Sequence, residues 1–137
     1  MRCFGVYGKY EDSNNRFISK AIVNALNNQP IVIKQNVVFD YLYVDDLVKI
    51  IEFALTHPQI NPQAKNIYNV GSGQPQDLVS ISQIVKQVTG KNVEVVVEQE
   101  GLNKEYSCDI NLLKTLMPQF HPTSLEQGIK LLSTYYK

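Results

Sequence analysis

The run Phe39-Asp40-Tyr41-Leu42-Tyr43-Val44-Asp45-Asp46, continued by an apolar stripe from Leu47 to Leu55, is where the fold is decided. Alternation through Val38 to Val44 predicts a strand. Phe39, Tyr41 and Tyr43 fall on one face, and Val38, Asp40, Leu42 and Val44 on the other. Asp45 and Asp46 then stand where a helix begins, because the unpaired N–H groups of a first turn favour carboxylates. One of the pair is expected to cap the Leu47–Leu55 helix and the other to be solvated. A strand that runs directly into a helix is the unit from which α/β domains are built.

The pattern repeats on both sides. Upstream, Cys3 to Tyr7 reads as a short buried strand closed by Gly8, and Lys9 to Asn15 as a turn. Phe17, Ile18, Ala21, Ile22, Ala25 and Leu26 recur at helical spacing, with Asp12 or Ser13 as the cap and Asn27, Asn28 and Pro30 as the stop. Ile31 to Ile33 is a strand. Downstream, His57-Pro58 ends the second helix, Ile60 to Lys65 is a loop, and Asn66 to Val70 is a strand closed by Gly71-Ser72-Gly73. Leu78 to Val88 is a helix ending at Gly90, Val93 to Val97 a strand, and Asp109 to Leu116 a short helix. Thr123-Ser124-Leu125-Glu126 has the capping-box pattern and opens a last helix with Leu125, Ile129, Leu132 and Tyr136 inward. The expected architecture is one α/β domain over residues 1–137, a small mixed sheet with flanking helices.

Composition narrows the function classes. The 137 residues carry 13 basic and 13 acidic side chains, so bulk positive charge does not recruit nucleic acid. No apolar run reaches the ~18 residues of a membrane span. Two cysteines, Cys3 and Cys108, make no disulfide framework, and a reduced, cytoplasmic protein is expected. The arginines are Arg2 and Arg16, so an anion site later in the chain must rely on lysine, backbone N–H or neutral groups.

Gly71-Ser72-Gly73 lies between a strand and a helix, the setting of a dinucleotide loop, but Gln76 stands where the third glycine belongs. A glycine-rich turn is preferred. His57 and His121 have no partner at metal-ligand spacing, and no serine sits in a nucleophile elbow. Tyr41, Tyr43, Tyr68 and Tyr106 offer flat faces with polar tips, suited to a sugar or base or equally to packing at a sheet edge.

Taken in order, Phe4-Gly5-Val6-Tyr7-Gly8, Arg16-Phe17-Ile18, Phe39 to Asp46, Ile67 to Gly73, Glu100-Gly101 with Tyr106 to Asp109, and Thr123 to Gly128 resemble the C-terminal, substrate-binding half of the extended short-chain dehydrogenase/reductase family, the NAD-dependent nucleotide-sugar epimerases and dehydratases. The resemblance implies the C-terminal portion of an extended Rossmann-type fold and a nucleotide-sugar substrate. It implies NAD or NADP in the whole enzyme. Arg16, Phe17, Tyr43, Gln99 and Tyr106 would line the substrate pocket, and Phe4, Gly5, Val6 and Tyr7 would run beside the nicotinamide. Phe39 and Gln99 stand where many relatives carry arginine, and Gly5 where asparagine is usual.

No tyrosine here has lysine four positions later, so the family's Tyr-x-x-x-Lys is absent from the sequence, as is its Gly-x-x-Gly-x-x-Gly loop. The expectation is a substrate half without its cofactor half, inactive alone, which pairs as a homodimer through its uncovered first strand. A sugar- or nucleotide-binding module without catalysis, or a chain that complements a separate cofactor domain, is the alternative. The chain is accordingly predicted to hold NAD no more tightly than about 10 μM, near −7 kcal/mol; a tighter dissociation constant in a calorimetric titration contradicts this.

Overall fold

Two of the extended segments expected from the sequence are short, because each is interrupted where it must change partner. The computed structural model describes residues 1–57 and 67–137. The first strand expected from the sequence is two, β1 (Arg2–Cys3) and β2 (Val6–Tyr7), separated at Phe4-Gly5. β1 pairs in parallel with β6 (Asn69–Val70), and β2 pairs in parallel with β5 (Leu42–Tyr43). Gly5 makes the switch: its φ is +31°, and a Cβ there would strike the Asp40 carbonyl. Arg2 and Cys3 are exposed, so only the second piece is buried.

The strand expected from Val38 to Val44 is likewise split. β4 (Val38–Phe39) pairs antiparallel with β7 (Gln76–Asp77), and the chain then leaves that ladder at Asp40-Tyr41 to form β5. The longest ladder joins β3 (Ile31–Asn36) to β8 (Val95–Leu102) in parallel, with a register shift at Gln35-Asn36. The mixed sheet is therefore four two-stranded ladders, three parallel and one antiparallel.

Two cores lie on either side of β2 and β5. Helices α1 (Phe17–Leu26), α3 (Leu78–Thr89) and α5 (Leu125–Tyr135) pack on one another and bury Ile18, Ile22, Ile81, Val85, Ile129 and Leu132 with Tyr7 and Tyr43. Helices α2 (Val44–Thr56) and α4 (Asn111–Leu116) bury Ile50 and Leu113 with Leu42 and Val70. Leu42 and Tyr43 are neighbours pointing into different cores, as alternation along an extended chain requires.

Helix ends follow tertiary needs more than the local rules. Asp77 caps α3, accepting from the Val79 and Ser80 N–H groups, and Gly90 closes it at φ 67°. Ser124, not Thr123, caps α5, one residue later than the capping box predicts. α2 starts at Val44, earlier than expected, and neither aspartate caps it. Asp45 is exposed. Asp46 is buried, accepts the Thr123 N–H at 2.6 Å and pairs with Lys49 at 2.8 Å, which ties α2 to the approach of α5. Neither Asp12 nor Ser13 caps α1; Asp12 turns back on Asn14 and Asn15. The loop expected at Ile60–Lys65, the stop at Pro58 and the strand start at Asn66 lie outside the described residues.

Gly128 of α5 is where the helix meets the aromatic core. A Cβ there would overlap the Tyr7 hydroxyl and come within 2.9 Å of Tyr7 Cζ and 3.2 Å of Tyr43 Cδ2. Among the described residues that Tyr7 hydroxyl has no hydrogen-bond partner. Gly128→Ala should therefore destabilise by about 2 kcal/mol through overpacking, despite the ~1 kcal/mol that alanine gains over glycine in a helix. Tyr7→Phe in the same chain should recover most of that loss in urea denaturation; an unchanged or raised midpoint for Gly128→Ala alone contradicts the packing.

Candidate functional site

The chain switches at Gly5 and Asp40 bring the ends of β2 and β4 to the head of α1. Between them lies a cavity of about 520 Å³. Cys3, Gly5, Val6 and Tyr7 form one wall, Glu11, Asn15, Arg16, Phe17 and Ile18 a second, and Phe39, Tyr41, Leu78 and Tyr106 a third. These come from five separate stretches of sequence, all but Leu78 within or beside the segments that carry the resemblance.

Phe39, Tyr41 and Tyr106 make the aromatic wall. Ring centroids run Phe4 to Tyr106 at 5.1 Å, Tyr106 to Phe39 at 5.5 Å, Phe39 to Tyr41 at 5.4 Å and Tyr41 to Tyr7 at 6.0 Å. Tyr106 is held by its backbone: its N–H donates to Val38 O at 2.8 Å, and its carbonyl accepts the Asp40 N–H at 3.0 Å. Its ring is 47% exposed. It is thus placed by the sheet yet free on one face.

Of the pocket residues expected from sequence, Arg16, Phe17 and Tyr106 lie together in this cavity, as do Gly5, Val6 and Tyr7. Phe4 backs it through Tyr106. Tyr43 does not line it. It shares the expected face with Phe39 and Tyr41, all three on the side of the α1–α3–α5 core, but it lies deeper, fully buried, with its ring 5.5 Å from Tyr7. Gln99 faces an adjoining hollow of about 470 Å³ lined by Lys34, Gln35, Val37 and Asn103; Phe17 and Leu78 border both spaces.

Two site residues carried no sequence signal. Glu11 sits in the polar turn before α1 and lines the cavity half-buried. The Ser19 hydroxyl donates to it, while burial holds its carboxyl above the ordinary glutamate range. Burial first, and the Glu11 charge second, push the Tyr41 hydroxyl well above its ordinary value, so it remains a donor. Asp40 is fully buried. Its Oδ1 accepts the Ser72 N–H at 2.8 Å and the Ser72 hydroxyl at 2.6 Å, and its Oδ2 accepts the Gly73 N–H at 2.9 Å. The Cys108 thiol, 3.8 Å from Oδ2, is pushed up to about 11 by burial and then by the Asp40 charge.

That arrangement answers whether these residues fit a dinucleotide. A glycine-rich loop holds a pyrophosphate with free N–H groups. In the Gly71-Ser72-Gly73 loop the Ser72 and Gly73 N–H groups point at a carboxylate instead, which repels phosphate. The loop is not a pyrophosphate cradle. Among the described residues no three His, Cys, Asp or Glu side chains gather as a metal site, and no helix is long and apolar enough to cross a membrane.

The profile of the NAD dependent epimerase/dehydratase family matches residues 1–71, and the chain belongs to that family. ADP-L-glycero-D-manno-heptose-6-epimerase of Brachyspira hyodysenteriae is 26% identical over 113 residues, 77% of this chain and 34% of its own.

Among solved structures, UDP-glucuronic acid 4-epimerase of Bacillus cereus, with UDP-glucuronic acid and NAD, superposes at a TM-score of 0.80 with 22% identity, over 98% of this chain and 43% of its own. UDP-glucose 4-epimerase of Thermotoga maritima, with UDP-glucose, gives 0.77 with 24% identity, over 98% of this chain and 44% of its own. dTDP-glucose 4,6-dehydratase of Bacillus anthracis gives 0.79 with 23% identity, over 98% of this chain and 43% of its own. The fold is theirs, and the chain spans about a third to under half the length of these relatives.

Proposed function

We propose that this chain is the substrate-binding, C-terminal portion of an NAD-dependent nucleotide-sugar epimerase, dehydratase or reductase. The observation that supports it best is the convergence of Val6-Tyr7, Arg16-Phe17, Phe39-Tyr41 and Tyr106 on one cavity. Tyr106 and Phe39 offer flat apolar faces to a sugar ring, and the Tyr41 hydroxyl donates to one of its oxygens. Arg16, exposed beside the cavity, suits the diphosphate. The neighbouring hollow, with Lys34, Gln35, Gln99 and Asn103, suits the nucleotide end. Lysine and amide groups there do the work that relatives give to the arginines replaced here by Phe39 and Gln99.

On this reading the chain binds and orients substrate. The redox chemistry belongs to NAD or NADP and to a Tyr-x-x-x-Lys pair, which this sequence does not contain. No step is assigned to the Gly71 loop, whose N–H groups are committed to Asp40. Phe4 to Tyr7 forms the side of the cavity toward the cofactor. Asp45 and Asp46 take no proton in the reaction.

Titration of the chain with UDP-glucose, followed by NMR, should shift the amides of Arg16, Phe17 and Tyr106 together. Tyr106→Ala should weaken binding by about 5- to 30-fold, the loss of one aromatic contact of ~1–2 kcal/mol, with little change in melting temperature. Shifts that avoid this cavity, or a Tyr106→Ala chain that binds as well as the original, contradict the assignment.

A further inference from the structure

The inference concerns which sugars the cavity takes, and it rests on the substrate-site reading above. Among the described residues lining the cavity, Glu11 is the one carboxylate and Arg16 the one cation. They are not an ion pair, for the two side chains do not come within salt-bridge distance of 4.0 Å. Glu11 accepts its hydrogen bond from a neutral donor, the Ser19 hydroxyl. Arg16 acts on that negative charge only from a distance, as the weakest of the influences on it, and is exposed and free to meet phosphate. Ser19 is itself fully buried on α1, so the carboxylate is held in place by the core and cannot swing out to solvent without breaking that bond.

We infer that Glu11 is a specificity residue. It accepts a hydrogen bond from a hydroxyl of a neutral sugar, and it excludes sugars whose ring carries a carboxylate. Two carboxylates in a half-buried space repel far more than they do in water, because little solvent lies between them. A hydroxyl in the same place donates a charge-assisted hydrogen bond. The chain has a formal net charge of zero, so its overall field does not bias the choice.

UDP-glucose and UDP-glucuronic acid differ at one substituent, a primary alcohol against a carboxylate, and are the probes. At pH 7.5 the chain should bind UDP-glucose at least about tenfold more tightly than UDP-glucuronic acid. Glu11→Gln, which keeps size and hydrogen bonding but removes the charge, should bring the two within about threefold. A second measurement needs no variant. The groups facing Glu11 are Arg16 beside the head of α1, Tyr7 of β2 and Tyr41 after β4. Burial keeps both tyrosines neutral as the pH falls from 7.5, while the sugar carboxylate stays ionised. Glu11, held above its ordinary range by burial, takes up a proton as the pH falls, so the preference should narrow.

Equal binding of the two sugars by the unaltered chain, or a preference that survives both Glu11→Gln and the fall in pH, overturns the role of Glu11 and leaves the substrate site standing. Failure of both sugars to bind at this cavity overturns the site and the inference with it.

Discussion

A carboxylate cannot be taken out of water unless something replaces the water, and at Asp40 the replacement is a loop 32 residues further along the chain. Its two oxygens accept two backbone N–H groups and the Ser72 hydroxyl, bonds strengthened by the charge. The geometry around it leaves no spare volume. A Cβ on Gly71 would lie 2.7 Å from Asp40 Oδ2 and 2.7 Å from Cys108 Sγ, and one on Gly5 would collide with the Asp40 carbonyl. Three chain segments are thereby pinned at one point: the break between β1 and β2, the break between β4 and β5, and the end of β6.

The cavity follows from what that pin does to the neighbours. Because the chain leaves its ladder at Asp40, Phe39 and Tyr41 are delivered to the cavity while Leu42 and Tyr43 enter opposite cores. Because the loop amides are spent on Asp40, the glycine-rich turn serves the fold and not a dinucleotide. Cavity and turn are thus one device. The aromatic wall of the cavity is built from the interruption, and Tyr106 is aligned by backbone hydrogen bonds on either side of it.

Much of this was legible in the residue pattern, and the misses share a cause. The spacing of Ile18, Ile22 and Ala25, and of Ile129 and Leu132, placed two helices because apolar periodicity reports burial directly. Arg16, Phe17 and Tyr106, expected together from their resemblance to known motifs, do line one cavity. Tyr43 falls on the expected face with Phe39 and Tyr41, but alternation carries no depth: Tyr43 is fully buried against Tyr7 and Gly128, contacts that no local window contains. Asp46 reads as a cap but answers to Thr123, 77 residues away. Glu11 lies in a polar turn, where a carboxylate is unremarkable until Ser19 and the cavity are seen beside it.

The Asp40 constraint can be observed amide by amide. In hydrogen exchange by NMR, the Ser72 and Gly73 N–H groups should be strongly protected, they should keep that protection when millimolar NAD is added, and they should lose it in Asp40→Ala while α1 and α3 remain protected. Rapid exchange of both amides in the unaltered chain, or movement of their signals on addition of NAD, would contradict the account, since those N–H groups would then be open to a phosphate.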